Sequence, residues 1–239
     1  MAIKQAMVLA AGLGTRLRPI TDVTPKPLVP VGGRPMLTYV LDLLQKEQVE
    51  NITINVHHHA DQMEAFLNAY DRAKVLISDE RNELLDSGGG LAKGLKLLEP
   101  GPCFVLNADL FWVGEKAEQK SNLGRLTEAF DPDHMDMVML CVKLEDTTGH
   151  NGKLDFNLNE DGSLSYLNEE SDNPVVYAGA LVMNRDLLND APEGKFKLNL
   201  YFDRAIKAGR LYGVLLDGAW ITVGSPDAID SAEKKIAEF

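Results

Sequence analysis

Cysteine is nearly absent from this chain, with 2 in 239 residues. Cys103 and Cys141 each lie in an apolar stretch, "PCFVL" and "MLCVK". Two such residues make no disulfide framework, and free cysteine favours the interior, so both are expected as reduced core residues. Positive charge is also scarce. The 24 Lys and Arg face 36 Asp and Glu, for a formal net charge of −12. That balance excludes a broad nucleic-acid or anionic-membrane surface and leaves any phosphate chemistry to a few local cations. No run reaches the roughly 18 apolar residues that span a bilayer. The start "MAIKQAMVLAAG" carries no apolar segment ending in a cleavage site, so the expected location is the cytoplasm. Long repeats, low-complexity tracts and Ser/Gly linkers are missing too. What remains is 45% hydrophobic and 25% charged, an ordinary globular balance. The length suits one α/β domain over residues 1–239.

Apolar runs predict strands at Ala6 to Leu9, Ile52 to Val56, Val75 to Ile77, Cys103 to Leu106, Met137 to Val142, Tyr177 to Met183 and Tyr212 to Leu216. Helical periodicity covers Met36 to Lys46, Ala60 to Tyr70 and Gly90 to Leu98. Strands alternating with such helices imply βαβ units and a Rossmann-like, doubly wound, mostly parallel α/β sheet. From about Glu145 to Val176 the texture turns to "TTGHNGK", "NEDGS" and "EESDNP", which reads as a β-rich insertion in the same domain. In doubly wound sheets ligands bind beyond the carboxyl ends of the strands. The glycine loop after Leu9, the histidines after Val56 and the acid after Leu106 would share that edge.

The loop is "LAAGLGTRLRP". Gly12 and Gly14 permit close backbone approach and an anion-binding nest of N–H groups, with an ordinary tight turn and solvated arginines as the competing reading. The spacing fits neither a Walker A loop nor the dinucleotide fingerprint. Downstream, "TPKPLVPVGGRPM" holds Lys26 between Pro25 and Pro27. Prolines stiffen the segment and aim the lysine, unless it is only a proline-rich surface loop. In "CFVLNADLFW", Asp109 follows a strand of buried character and is placed either to hold a divalent ion or to cap a turn. Loop, cation and acid map to one sheet edge, which favours the chemical reading of all three. Three consecutive histidines, His57 to His59, point in different directions on a turning chain and read as a strand-end loop.

"MVLAAGLGTRLRPIT" followed by "TPKPLVPVGGRPM" resembles the signature of the sugar-1-phosphate nucleotidylyltransferases. The similarity continues through "SGGG", "NAD", "YAGALVM" and "DGAWITVGSP", so it spans essentially the whole chain. The resemblance implies nucleotidyl transfer from a nucleoside triphosphate to a sugar 1-phosphate with release of pyrophosphate. It implies catalytic roles for Arg16 on the β- and γ-phosphates, Lys26 on the α-phosphate and Asp109 on Mg²⁺. Leu9, Ala10, Ala11, Gly12, Gly14, Thr15, Ser87, Gly88 and Asn107 would bind the nucleotide, and Gly152, Glu169 and Tyr177 the sugar. One position departs from the family pattern. Many members carry "WxDVG" with the aspartate as second metal ligand, whereas here Thr222 follows Trp220 by two residues. Threonine is a poorer ligand, so a non-catalytic nucleotide-sugar sensor stands as the alternative of another class. Intact Arg16, Lys26 and Asp109 favour an active enzyme with Asp109 and Thr222 at the metal. "NELLDSGGG", "GHNGKLDF" and "FKLNLYFDRAI" resemble most the N-acetylmuramate α-1-phosphate uridylyltransferases of cell-wall recycling. Mannose- and heptose-1-phosphate guanylyltransferases share the short architecture and remain alternatives. Phosphocholine cytidylyl transfer is disfavoured, because aromatics that could cage a quaternary ammonium make up only 7% of the chain.

Overall fold

The computed structural model describes residues 2–239. The first apolar run forms β1 (Gln5–Leu9), and a small hairpin of β2 (Pro30–Val31) and β3 (Arg34–Pro35) leads into α1 (Met36–Lys46). The alternation continues with β4 (Asn51–Val56), α2 (Ala60–Asn68), β5 (Lys74–Asp79), α3 (Asp86–Leu95) and β6 (Pro102–Asn107). Next come β7 (Leu110–Val113), α4 (Asn122–Ala129), β8 (Met137–Val142), β9 (Thr147–Thr148), β10 (Phe156–Leu158) and β11 (Leu164–Ser165). The chain closes with the long β12 (Pro174–Asn184), α5 (Asn199–Lys207), β13 (Leu211–Leu215), β14 (Ala219–Thr222) and α6 (Asp227–Ile236).

In the main sheet β5, β4, β1 and β6 lie parallel in that order. β12 pairs antiparallel with β6 on one side and β8 on the other, and β13 runs parallel to β8. Only β12 opposes the rest of this row. Helices cover both faces, as the alternation of buried residues requires. Ala6 and Val8 of β1, Phe104 and Leu106 of β6, and Val138 and Leu140 of β8 point into a core shared with α1, α2, α4 and α6. Met7, Cys103, Val105, Met139 and Cys141 point the other way, onto α3 and α5. Both cysteines are free and buried, and desolvation pushes the Cys103 thiol up to about 12.

Two expectations shift. α3 begins at Asp86 rather than Gly90, so "SGGG" lies in the first turn of a helix. Its glycines are there for contact. A Cβ on Gly89 would stand 2.3 Å from the Gly194 carbonyl oxygen, and one on Gly90 2.7 Å from Asn55 Nδ2. The β-rich segment after Glu145 is present but does not fold as one piece. β9 joins β14 and β7 in a separate small sheet, while β10 and β11 form a hairpin on the first residues of β12. β7 and β14 are short strands that the pattern of apolar runs does not reveal.

Candidate active site

β1 and β6 are adjacent and in register, Leu9 opposite Asn107, so whatever follows either strand is delivered to the same edge. After Leu9 the chain turns through Gly14, whose φ of +63° is left-handed. A Cβ there would approach Thr21 Cγ2 to 2.8 Å and Lys26 Cβ to 3.0 Å, so glycine is needed for both backbone angle and space. Thr21 Oγ1 donates to the Gly14 carbonyl at 2.8 Å, and His58 Nε2 donates to the Thr21 carbonyl at 2.8 Å. Leu17 is fully buried and anchors a single 3₁₀ turn, Thr15–Leu17, that carries Arg16. The guanidinium lies against Gly224, with Nη1 3.3 Å from where a Cβ would stand. Among the described residues no carboxylate pairs with Arg16. Gly12 has no atom within 4 Å of its Cβ position, so the space beside it is open to a ligand.

Pro25 sets the entry to a second 3₁₀ turn, Lys26–Leu28. Lys26 Nζ pairs with Asp109 Oδ2, which follows β6, and the lysine side chain is only 12% exposed. These charges come from sequence positions far apart and meet because β1 and β6 are neighbours.

Behind the loop stands a buried network. The Ala10 N–H donates to Asn55 Oδ1 at 2.6 Å, and Asn55 Nδ2 donates to Glu80 Oε1 at 2.7 Å. The other oxygen, Glu80 Oε2, accepts the Leu85 N–H at 3.0 Å, and the Glu80 carbonyl accepts from His57 Nδ1 at 2.7 Å. A buried carboxylate is costly without such partners. Fully bonded, this one ties the loop after β1 to the segment entering α3. The only hint of it in the sequence is Asn55, a polar residue inside the strand "NITINV".

Three cavities adjoin along this edge. One of about 70 Å³ is walled by Leu9, Ala10, Gly12, Lys26 and Asp109. A second, about 220 Å³, runs past Leu9, Ser87, Asn107, Asp155, Tyr177 and Asn199. The third, about 280 Å³, is bounded by Arg16, Asn107, Asp109, His150, Asp155, Tyr177 and Thr222. Leu9, Asn107 and Asp109 are shared walls, so the three form one cleft. A larger hollow of about 720 Å³ lies at the opposite end of the strands, beside Ile3, Lys46 and Phe130, where Lys120 already pairs with Glu128.

The cleft thus gathers Arg16, Lys26, Asp109, Leu9, Ala10, Gly12, Ser87, Asn107, Tyr177 and Thr222. Thr222 faces it because β14 pairs with β7, Thr222 opposite Leu110, one residue beyond Asp109. Ala11 and Thr15 flank the loop without walling a cavity. The Gly88 amide is taken by the Phe196 carbonyl at 2.9 Å. Neither Gly152 nor Glu169 walls the cleft. Glu169 sits in an exposed turn closed locally by Asn168, whose Oδ1 accepts the Glu170 N–H at 2.9 Å. The Gly152 N–H instead donates to His150 Nδ1 at 3.1 Å. His150, Asp155 and Asn199 are cleft residues that the sequence reading missed. Asp155 alone leaves a trace, as an acid between Leu154 and Phe156.

No helix among the described residues is long and apolar enough to cross a membrane, and no group of three His, Cys, Asp or Glu side chains converges there. A family model described as nucleotidyl transferase matches residues 5–238. The N-acetylmuramate alpha-1-phosphate uridylyltransferase of Caulobacter vibrioides is 37% identical over 99% of this chain and 98% of its own. The protein of the same name from Neisseria meningitidis serogroup B is 28% identical over 96% of each chain. Among solved structures, HddC from Yersinia pseudotuberculosis complexed with GMP-PN superposes with a TM-score of 0.77 at 22% identity, covering 98% of this chain and 100% of that one. The glycine loop, the two cations and the acid of the cleft are therefore carried by a chain that belongs to the nucleotidyl transferase family and is an enzyme of that class.

Proposed function

We propose that the protein transfers the uridylyl group of UTP to N-acetylmuramate 1-phosphate, releasing pyrophosphate, and that this one α/β unit performs the whole reaction. The observation that carries the reaction class is the meeting of Arg16, Lys26 and Asp109 beside the open loop at Gly12. The choice of UTP and of the amino sugar is supported by the two relatives named for that activity.

An anionic oxygen of the sugar phosphate attacks the α-phosphorus in line. The bond from that phosphorus to the bridging oxygen breaks, and its electron pair leaves with pyrophosphate. No protein nucleophile or base is required, so positioning and charge neutralisation are the protein's tasks. Arg16, unpaired within the described protein, holds the departing phosphates. Lys26 exchanges part of its contact with Asp109 for the α-phosphate, where charge grows as the reaction proceeds. Leu9, Ala10, Gly12 and Ser87 border the space for the nucleoside.

The donor set also fits Mg²⁺. Asp109 and Thr222 line the same cavity, and Mg²⁺ commonly takes one or two protein carboxylates and completes its shell from substrate phosphates and water. Held there, Mg²⁺ would neutralise phosphate charge.

Pyrophosphate release with UTP, GTP, CTP and dTTP against the 1-phosphates of N-acetylmuramate, N-acetylglucosamine, glucose, mannose and heptose tests the assignment. Turnover is expected for UTP with N-acetylmuramate 1-phosphate. Preference for GTP with mannose or heptose 1-phosphate would replace the substrate assignment, and silence throughout would replace catalysis with nucleotide sensing.

A further inference from the structure

Residues 10–29, which carry Gly12, Arg16 and Lys26, run from β1 to β2 through three 3₁₀ turns, Thr15–Leu17, Ile20–Asp22 and Lys26–Leu28, with no longer element among them. Such a segment depends on the scaffold that positions it. Among the described residues, its far end is held by the Met36 N–H, which donates to the Val29 carbonyl, and by the Lys26–Asp109 pair. Every other hydrogen bond to it from the rest of the protein comes from the end of β4 and the start of α2. Asn55 Oδ1 accepts the Ala10 N–H, His58 Nε2 donates to the Thr21 carbonyl at 2.8 Å, and Gln62 Nε2 donates to the Val23 carbonyl at 2.9 Å.

Thr21 is buried at the middle of the segment. Its hydroxyl donates to the Gly14 carbonyl, which also accepts the Leu17 N–H at 2.9 Å and so closes the turn that bears Arg16. Thr21 Cγ2 and Lys26 Cβ both crowd Gly14. The turn of Arg16, Thr21 and the stem of Lys26 therefore meet at one point, and His58 ties that point to the end of β4. His57 reaches the other way, as adjacent residues of an extended chain do. It donates to the Glu80 carbonyl, which also accepts the Glu83 N–H at 3.0 Å where the chain leads on to Ser87. His59, left-handed with a φ of +50°, turns the chain into α2, and its carbonyl accepts the Gln62 N–H at 3.0 Å. None of the three histidines walls a cavity of the cleft. They form a bracket behind it.

We propose that His58 is a positioning residue for the transfer: by holding the Thr21 carbonyl it sets the spacing of Arg16 and Lys26 on the triphosphate. This role rests on the phosphate-transfer reading above. Misplacing a group at the reacting atoms by about 1 Å costs on the order of 100-fold in rate, so a donor one layer behind the cations governs kcat without touching substrate.

His58→Leu keeps the bulk and removes the donor. With the substrate pair that the wild type turns over, kcat should fall roughly 10- to 100-fold while the acceptor KM holds. His58→Gln, whose amide nitrogen can reach the same carbonyl, should recover most of that loss. In an Arg16→Ala background, His58→Leu should cost much less than in the wild type, the non-additivity of residues that act through one another. A bond that only stabilised the fold would lower the melting temperature and show no such dependence on Arg16. Thr21→Val, which keeps the shape and removes the hydroxyl from the Gly14 carbonyl, should give the same pattern, so the relay stays testable if His58→Leu does not fold. An unmoved kcat, an acceptor KM rising in step, equal losses in His58→Gln and His58→Leu, or additive losses with Arg16→Ala would overturn the role of His58 alone. A wild type that uses no sugar 1-phosphate would overturn this role together with the reaction it serves.

Discussion

On the triphosphate side of the proposed cleft, Gly12, Gly14, Arg16 and Lys26 all belong to one short stretch of chain after β1. On the acceptor side, Asn107, His150, Asp155, Tyr177 and Thr222 come from four separate segments, His150 and Asp155 sharing the connection between β9 and β10. The first side is built from backbone geometry and fixed cations, which a left-handed glycine and a few prolines shape locally. The second is built from side chains whose direction depends on a bulge in β12, the hairpin of β10 and β11, and a small sheet of β7, β14 and β9. Phosphates are alike in every nucleoside triphosphate and call for a standard cradle. Sugars differ in the placement of their hydroxyls, and telling them apart calls for side chains placed by long-range contacts.

The division can be broken most severely where the two sides touch. Lys26→Ala and Asp109→Ala should each lower kcat about 100- to 1000-fold, the usual cost of one transition-state contact, with an unchanged circular dichroism spectrum. Near-normal rates in both would remove the charge-neutralising role from this pair. Gly179→Ala places a Cβ against Leu110 in a left-handed backbone and should destabilise the fold by about 1–3 kcal/mol. Thermal melts read that loss. Steady-state kinetics on the folded fraction should show the acceptor KM rising while the UTP KM holds, because the bulge aims Tyr177 and not the glycine loop.

Asn55→Ala is the mirror experiment. It leaves the Ala10 N–H and the buried Glu80 carboxylate each short of a partner, at a cost of about 1–3 kcal/mol. Here the UTP KM should rise and the acceptor KM should hold. If both variants moved both constants equally, the two sides would be one rigid unit. The smallest effect is expected from Thr222→Asp. A second carboxylate facing Asp109 should lower the Mg²⁺ concentration for half-maximal rate several-fold, with little change in kcat at saturating metal. An unmoved metal titration would place Thr222 outside the metal's reach.

The legibility of the protein in its sequence divides along the same line. Met36 to Lys46 and Met137 to Val142 coincide with their helix and strand because periodicity and β-branched or sulfur-rich apolar runs are local signals. The start of α3 is misread because consecutive glycines disfavour a helix until the contacts with Gly194 and Asn55 explain them. Glu169 is a different case. Its placement rests on likeness alone, in a segment whose path is set by where β10, β11 and β12 happen to pair, and a local turn holds it at the surface.

By itself, the sequence determined the strand and helix alternation, the glycine loop, the proline-held lysine and the acid at the end of β6. Each of these is a property of a few consecutive residues and of the hydrophobic alternation that forces both faces of the sheet to be covered. Only the tertiary structure decided that Lys26 reaches Asp109, that Asn55 and Glu80 brace the loop, and that Asp155 stands beside Tyr177 in the cleft. Those pairings depend on strand order and on one bulge, which arise from long-range packing and leave no local pattern in the chain.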